Sequence, residues 1–293
     1  MAVHTQVIRC IAFDQDDTAL MPDGKPSAEG VAAIVAALDQ GIVVTSVSGR
    51  NLDRSSEPFR GVPAVLDRLY LIANNGSIVA SPAEQSRRTL LFEQRIPDET
   101  FQELLDHIER HGFTFVYSWL RTTVDGPQDS VVANRRTPSI EAITAQSGAS
   151  VSVDEDLLTK LREGFYPPPP KMLILPGLER REAVLQALNS QFGTRLYLVK
   201  TSPDRIEIMN PEVNKKVGIQ QIAQRHGFTL DEVMAVGDGE NDLPMLFGAG
   251  IGVVMGNAAA AVLAESAARG LIIAPPHHEN GFAWAIRQFA LKG

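Results

Sequence analysis

Short apolar runs alternate with longer helical patterns at the start of this chain. The runs 7–13 (VIRCIAF) and 42–47 (IVVTSV) have the length and β-branched content of buried strands. Residues 27–41 begin with a serine, carry a glutamate in the first turn and end in a glycine, which is the pattern of a capped helix. Strands joined by helices lie parallel, with right-handed crossovers. The alternation therefore predicts an α/β fold with a doubly wound, mostly parallel Rossmann-like sheet.

The same alternation returns in the last third of the chain. A further strand of the first segment is expected within 70–80, with a turn at Asn74, Asn75 and Gly76. After Lys215 the pattern predicts strands at 233–238, 251–255 and 271–274, and helices at 216–226, 241–247, 258–268 and the end of the chain. Both segments are therefore expected to contribute strands to one sheet.

The middle of the chain has a different pattern. Helices are predicted at 98–112 and 178–193, and strands at 113–120, 171–177, 194–201 and 204–210. Helices beside hairpin-prone strands indicate an inserted α+β domain. We expect residues 1–81 and 211–293 to form the Rossmann-like core and residues 82–210 to form the insertion. The proline run at 166–171 (YPPPPK) is interpreted as a stiff connector, and the alternative is a polyproline ligand for a partner.

Composition excludes several classes of protein. The chain has 293 residues, 44% of them hydrophobic, and a net charge of −8, which argues against a broad nucleic-acid-binding face and against docking on anionic membranes. No apolar run reaches the ~18 residues of a membrane span. Arg9 interrupts the first apolar run, so we expect no signal peptide and a cytoplasmic protein. Cys10 is the only cysteine and is expected in the core.

Three acids follow the first predicted strand within four residues. Asp14, Asp16 and Asp17 carry like charges, which are costly to hold together without a cation. If the strand continued through them, Asp14 and Asp16 would share one face and Asp17 would lie on the other. Carboxylates at the carboxyl end of a parallel strand can hold Mg²⁺. The alternative is a solvated acidic exit from the strand.

A second predicted strand also ends in acid. Asp238 follows the run 233–237, and Asn241 and Asp242 fall in the first turn of the next helix. By itself this pattern is explained by acids that cap the helix and complement its dipole. Two acidic strand ends at one edge of a parallel sheet, however, bring like charges together. The pair of patterns therefore favours a cation site.

Two further segments carry groups suited to phosphate. Ser48 and Gly49 follow the strand 42–47 ahead of a predicted helix, where a hydroxyl and backbone N–H groups can bind phosphate oxygens. A plain serine N-cap is the alternative. Lys215 opens a helix, where the dipole disfavours a cation. It is either a solvated lysine or the positive charge that balances phosphate and carboxylate.

Taken in order, DQDDT (14–18), SGR (48–50), Lys215 and GDGEND (237–242) resemble the four motifs of the haloacid dehalogenase-like hydrolase superfamily. The flanking segments ANNGSIV, IEIMNPEVNK, AVGDGENDLPML and GVVMGNA resemble the Cof-type phosphatases. These enzymes insert a large α+β cap (class IIB) between the second and third motifs. The resemblance covers both core segments, and it covers the insertion by position and length.

The resemblance implies a Mg²⁺-dependent phosphatase that acts on a small phosphorylated metabolite, with sugar phosphates favoured. In that mechanism Asp14 is the nucleophile that forms an aspartyl-phosphate, and Asp16 is the general acid and base. Asp14, Asp16 (through its backbone carbonyl) and Asp238 hold the metal. Asp242 acts on it through water or instead positions Lys215. The implied phosphate-binding residues are Ser48, Gly49, Lys215 and Asn241.

Some features remain open. Asp17 stands where the family most often has glycine, and the sequence gives it no role. A phosphomutase of the phosphomannomutase type and a catalytically retired metabolite-binding regulator are the alternative functions. The sequence identifies neither the substrate nor the oligomeric state.

Overall fold

The computed structural model describes residues 7–147, 151–202 and 204–291. The chain divides into two compact units. The first contains the described residues up to Phe92 together with those from Asn214 onward, and the second is Glu93–Val213. The boundaries drawn from the sequence, at 81/82 and 210/211, lie earlier in the chain. The first sheet contains two strands beyond those predicted, because the segment 70–80 forms two strands rather than one and a further strand lies at Leu90–Glu93.

The first unit is built on an eight-stranded sheet. The strands are β1 (Cys10–Phe13), β2 (Val43–Val47), β3 (Tyr70–Ala73), β4 (Ile78–Ala80), β5 (Leu90–Glu93), β12 (Val233–Gly237), β13 (Ile251–Met255) and β14 (Ile272–Ala274). They run in the order β14-β13-β12-β1-β2-β3-β4-β5. All the pairs from β14 to β3 are parallel, and β4 is antiparallel to β3. The doubly wound, mostly parallel α/β sheet is therefore confirmed.

Helices cover both faces of this sheet. Successive strand residues point to opposite faces, so Phe13 packs on Phe59 and Phe282 while Cys10 packs in a cluster with Ile219 and Met245. Burial raises the pKa of the Cys10 thiol, as expected for a core residue. The helices are α1 (Ala28–Asp39), α2 (Leu52–Ser56), α3 (Pro63–Leu66), α8 (Lys215–His226), α9 (Leu243–Gly248), α10 (Ala260–Ala268) and α11 (Gly281–Phe289).

The second unit is a six-stranded sheet with helices, which confirms the predicted α+β insertion. The strands are β6 (Thr114–Thr123), β7 (Gly126–Ala133), β8 (Ser152–Val153), β9 (Lys171–Leu175), β10 (Tyr197–Ser202) and β11 (Arg205–Met209). Their order in the sheet is β10-β11-β9-β6-β7-β8. The helices are α4 (Asp98–His111), α5 (Pro138–Ser147), α6 (Leu157–Arg162) and α7 (Arg181–Phe192).

The proline run is part of the second unit. The Pro167 carbonyl accepts a hydrogen bond from the Tyr117 hydroxyl at 2.7 Å, and the Pro169 carbonyl accepts one from the Ile96 N–H at 3.0 Å. These bonds fix the run to its own unit, which agrees with a stiff internal connector. Within the described residues, no helix has both the length and the apolar character required to cross a bilayer.

Candidate active site

Three strands of the first sheet end at one edge, and each is followed by a residue that the sequence analysis selected. Asp14 follows β1, Ser48 follows β2 and Asp238 follows β12. The ladder continues one residue past β1, because the Asp14 N–H donates to the Val236 carbonyl at 2.9 Å. The carboxyl ends of parallel strands are where open α/β sheets bind ligands.

Lys215 is the first residue of α8, and only 1% of its surface is exposed. The helix begins here because the Asn214 side chain accepts a hydrogen bond from the Val217 N–H at 3.2 Å. The Lys215 ammonium donates to Oδ1 of Asp14 and to Oδ1 of Asp242. These two carboxylates compensate a cation that is both buried and placed at a helix start. Lys215 is therefore not a solvated lysine.

Asp14, Asp238 and Asp242 form a cluster in which one carboxylate oxygen of each lies within 4.8 Å of the others. Asp242 has both oxygens engaged. Its Oδ1 accepts from Lys215, and its Oδ2 accepts from the N–H groups of Asp238 (2.9 Å) and Gly239 (2.8 Å). This arrangement favours the positioning of Lys215 over direct metal binding as the part played by Asp242.

The cluster carries more negative than positive charge. Burial raises the pKa of Asp14 well above its ordinary value, and the charges of Asp242 and Asp238 add to this against the opposing Lys215. Burial and then the Asp242 charge raise the pKa of Asp238 to about 6, although the Thr18 hydroxyl donates to its Oδ1 at 2.8 Å. Burial disfavours the Lys215 ammonium, but Asp14 and Asp242 outweigh burial and raise the Lys215 pKa. Three carboxylates thus share one ammonium.

The donor set fits a divalent cation that prefers oxygen ligands. Carboxylates that converge within 4.8 Å are the hard donors that Mg²⁺ selects, and the cluster lacks the positive charge that such an ion brings. The oxygens of Asp242 are already engaged. Asp14 and Asp238 are therefore the carboxylates best placed to hold an ion.

Asp16 lies apart from this cluster. Its side chain is 57% exposed, and the Arg50 guanidinium donates to both carboxylate oxygens, with Nε 3.0 Å from Oδ2. A fork of this kind gives a well-defined carboxylate orientation. Asp16 therefore does not share a strand face with Asp14, and the geometry expected from a continuous strand is wrong.

The reason for this difference is the residue between the two acids. Gln15 is fully buried, and its Nε2 donates to Ser46 Oγ at 2.6 Å and to the Ser55 carbonyl at 2.7 Å. These bonds hold the Gln15 side chain against β2 and α2. The backbone stays extended at Asp14 and turns at Asp17, whose φ is 54°. Residues Gln15–Ala19 form an irregular helical turn instead.

Ser48 is buried in the loop between β2 and α2. It lies ahead of a helix, as predicted, but the alternative of a serine N-cap is wrong. The helix α2 begins at Leu52, and its N-cap is Asn51, which accepts from the Arg54 N–H at 3.1 Å. The Ser48 hydroxyl accepts from the Arg50 N–H at 3.1 Å. The loop rather than a helix start therefore presents this hydroxyl.

Asn241 and Gly49 both lie against Asn75. The Asn241 Nδ2 donates to the Asn75 Oδ1 at 3.1 Å. A Cβ added at Gly49 would lie 3.2 Å from the same oxygen. Asn75, which was predicted only to form a turn, thus brings together two of the predicted phosphate-binding residues, Gly49 and Asn241.

Three residues in contact with the predicted set were missed. Thr18 and Arg50 close the DQDDT and SGR segments, so position within those motifs is the signal that could have identified them. Asn75 lies in a segment interpreted as a hairpin turn. Its contact with Asn241 joins residues far apart in the chain, which no local pattern reports.

Asp17 connects the loop after β1 to the rest of the first unit through its backbone. Its φ is 54°, and its carbonyl accepts from the Asn257 Nδ2 at 2.8 Å. Asn257 in turn accepts from the His277 N–H at 2.8 Å, and the exposed Asp17 carboxylate lies 3.9 Å from the His277 ring. Asp17 therefore belongs to a network that ties the loop after β1 to two later loops. Its charge is also among the smaller causes of the raised pKa of Asp238.

Comparisons with known proteins agree with this geometry. A family model for haloacid dehalogenase-like hydrolases matches residues 11–286. The 5-amino-6-(5-phospho-D-ribitylamino)uracil phosphatase of Bacillus subtilis is 27% identical over 284 residues, which cover 97% of this chain and 96% of that protein. The family match and the phosphatase relative support a phosphoric monoester hydrolase.

Solved structures share the fold over nearly the whole chain. A protein of Thermotoga maritima superposes with a TM-score of 0.81 at 21% identity, covering 98% of this chain and 99% of that one. A sugar phosphatase of haloacid dehalogenase subclass IIB superposes with a TM-score of 0.71 at 19% identity, covering 96% and 98%. The family match extends across both segments of the sheet and across the insertion between them. The chain belongs to the haloacid dehalogenase-like hydrolases.

Proposed function

We propose that this chain is a Mg²⁺-dependent phosphatase that hydrolyses phosphomonoesters of small metabolites, with sugar phosphates as the favoured class. The observation that carries the proposal is the buried Asp14, held by Lys215 at the edge of the sheet beside Asp238 and Asp242. Phosphoryl transfer needs alignment of the reacting groups and neutralisation of charge. This cluster offers a nucleophile, an ammonium and a cation-binding set within one site.

The reaction would begin at Asp14. One of its carboxylate oxygens accepts from Lys215, so the other is the oxygen available to attack phosphorus. As the Asp14 oxygen–phosphorus bond forms, the bond from phosphorus to the ester oxygen breaks and Asp16 gives that oxygen a proton. Water then attacks the aspartyl-phosphate and Asp16 takes its proton. Phosphate leaves and Asp14 is regenerated.

The remaining residues hold the phosphoryl group and the charge. Ser48, Gly49 and Lys215 would contact the phosphoryl oxygens, and Asn241 would support them from the loop after β12. Bound Mg²⁺ would supply positive charge opposite those oxygens. It would be held by Asp14, Asp238 and the backbone carbonyl of Asp16, and Asp242 would keep Lys215 in place.

The resting contact of Asp16 adds one requirement. Its carboxylate lies on Arg50 and is more than half exposed. Proton transfer to the leaving oxygen needs Asp16 within hydrogen-bond reach of that oxygen. Asp16 is therefore expected to exchange at least one of its two bonds with Arg50 for a bond to the substrate during turnover.

Sugar phosphates are proposed as the favoured class for two reasons. The relative from Bacillus subtilis is named for a phosphoribityl substrate, and a structure that shares the fold is a sugar phosphatase. Both substrates are phosphate esters of polyhydroxylated carbon chains. The net charge of −8 also accords with a small-molecule substrate better than with a polyanion.

The test is a panel of phosphorylated metabolites, with released phosphate measured in the presence of Mg²⁺ and of a chelator. The purified chain is expected to release phosphate from sugar phosphates with Mg²⁺ and to stop when the metal is removed. Asp14→Asn is expected to abolish release, and Asp39→Asn on the exposed end of α1 is the matched control. Isomerisation of a hexose phosphate without phosphate release would replace the proposal with a phosphomutase. A chain inert across the panel would overturn it.

A further inference from the structure

The turn between β3 and β4 has an unusual conformation for a simple hairpin. Asn74, Asn75 and Gly76 all have positive φ, at 48°, 53° and 105°, and all three are buried. Asparagine is the residue other than glycine that most readily adopts this region. A turn that only reverses the chain can lie in solvent, whereas this one is buried. The packing around the three residues therefore indicates a task beyond reversing the chain.

The backbone of this turn holds the loop after β2. The Asn74 N–H donates to the Arg50 carbonyl at 2.8 Å, and the Asn75 N–H donates to the Ser48 carbonyl at 3.0 Å. The Gly49 backbone lies so close that an added Cβ would be 3.2 Å from Asn75 Oδ1. The turn thus fixes the backbone on both sides of Gly49.

The same turn lies against the start of α8. A Cβ at Gly76 would be 2.1 Å from the Asn214 carbonyl oxygen, closer than any side chain permits. Asn214 is the N-cap of the helix whose first residue is Lys215. The turn therefore sets the approach of the helix that delivers the Lys215 ammonium to Asp14.

The Asn75 side chain makes the third link. Its Oδ1 accepts a hydrogen bond from the Asn241 Nδ2 at 3.1 Å, in the turn that also carries Asp242. Asn75 is only 2% exposed and Asn241 is half-buried, so this bond is partly shielded from water and orients the Asn241 amide. Asn75 thus holds the loop of Ser48 through its backbone and the loop of Asp242 through its side chain.

We infer that Asn75 is a positioning residue of the site, which orients the Asn241 carboxamide and the Ser48–Gly49 backbone for the phosphoryl group. The inference rests on the proposed phosphatase function of the same site. Asn75 acts through its neighbours, with its backbone on the loop after β2 and its amide on the loop after β12. The side-chain part of this role is separable by mutation, because the backbone bonds survive a change of side chain.

The test compares two glycine variants of the same turn. Asn75→Gly and Asn74→Gly each remove one buried amide at a left-handed position that glycine adopts without strain. Only the first removes the acceptor of the Asn241 bond. We expect Asn75→Gly to lower kcat/KM about tenfold and to raise the inhibition constant of inorganic phosphate about tenfold, the usual loss for one buried hydrogen bond. Asn74→Gly is expected within twofold of wild type in both.

A double-mutant cycle separates positioning from general loosening of the fold. If Asn75 acts through Asn241, Asn75→Gly combined with Asn241→Ala should be no more impaired than Asn241→Ala alone. The concentration of Mg²⁺ for half-maximal activity should stay within twofold of wild type in Asn75→Gly. Equal effects of the two glycine variants, or additive effects in the cycle, would overturn the inference.

Two further provisions keep the test decisive. If wild type shows no turnover, the proposed function fails, and binding of inorganic phosphate in the presence of Mg²⁺ is compared between the same variants by calorimetry. Tighter or equal binding by Asn75→Gly would then overturn the positioning role as well. If Asn75→Gly does not fold, Asn75→Ser with Asn74→Ser as its control gives the same comparison, because the shorter serine does not reach Asn241.

Discussion

At the scale of single residues, the site is governed by the shortage of positive charge around Asp14. Lys215 contacts Asp14 and Asp242, and the Asp238 carboxylate lies in the same cluster. Burial makes each unpaired charge costly, so removal of the one cation affects both stability and chemistry.

Lys215→Met keeps the apolar length of the side chain and removes the ammonium. We expect a loss of activity of about 10²-fold or more, as for removal of one preorganised donor to a transferring group. Without metal, the variant is expected to lose about 3 kcal/mol of unfolding free energy, because two buried carboxylates lose their partner. Urea denaturation and phosphate release measure the two effects.

Lys216→Met is the control for this change. Lys216 is the next residue of α8, and the bonds to Asp14 and Asp242 are made by Lys215. It is expected to keep activity within about twofold and stability within about 0.5 kcal/mol. Equal losses in the two variants would show that the helix start, and not the ammonium, matters.

The raised pKa of Asp238 predicts a pH dependence of stability. Its folded pKa is about 6 against an ordinary 3.8, so the folded protein binds the proton more tightly than the unfolded chain. Stability contributed by this group is therefore present below about pH 4 and is lost as the pH rises through about 6. In metal-free buffer, Asp238→Asn should be more stable than wild type at pH 7.5, by up to about 3 kcal/mol.

That advantage should shrink as the pH falls towards 4, which urea midpoints at a series of pH values will show. Mg²⁺ at neutral pH should stabilise wild type and have little effect on Asp238→Asn, because a ligand stabilises only the state that binds it. A stability difference between Asp238→Asn and wild type that does not change with pH would show that burial does not raise the pKa of Asp238.

At the scale of elements, the geometry of the candidate site depends on the short connections between strands and helices more than on the strands themselves. Most strand ends predicted for the first sheet lie within one residue of the observed ends, since hydrophobic runs of the right length report buried strands directly. In the second sheet, β6 and β9 end three and two residues from the predicted positions. The path of the chain beyond β1 was not predictable, because it depends on where the buried Gln15 amide finds its partners, Ser46 in β2 and Ser55 in α2. The N-cap considered for Ser48 is made by Asn51 instead, because both residue types cap well and Asn51 directly precedes α2.

Gly76→Ala tests the close approach of the β3–β4 turn to α8. The added Cβ would meet the Asn214 carbonyl at 2.1 Å, and φ is +105°, so both the contact and the backbone conformation oppose it. We expect a loss of at least about 3 kcal/mol, in the range of overpacking combined with backbone strain. Thermal and urea denaturation measure the loss.

Gly41→Ala, just after α1, is the matched control because its φ is +79° and an added Cβ meets nothing within 4 Å. Its cost should be limited to the left-handed backbone term, about 1–2 kcal/mol. If the Gly76 variant is no more destabilised than the Gly41 variant, the turn and α8 can move apart with little loss of unfolding free energy.

At the scale of the whole molecule, the two units differ in how much of them the sequence predicts. The first unit was predictable because parallel strands and crossover helices leave regular apolar patterns. In the second unit β7, β8, α5 and α6 were missed. β7 begins with Gly126 and Pro127 and contains polar residues, so its pairing with β6 and not its own composition makes it a strand.

The site shows the same division. The acids and Lys215 could be selected from the sequence because each stands at a recognisable strand end or helix start. Arg50 and Asn75 could not be given roles, since these follow from bonds across 34 and 166 residues of chain. A single sequence carries little information about long-range contacts between loops.

The central claim is that Asp14 carries the phosphoryl group during turnover. The most direct measurement is mass spectrometry of the acid-quenched enzyme, taken during steady-state hydrolysis of the best substrate with Mg²⁺. We predict a phosphoryl group on the peptide that contains Asp14 in wild type, and its absence in Asp14→Asn. Rapid phosphate release by wild type without any modified Asp14, or continued turnover by Asp14→Asn, would contradict the mechanism.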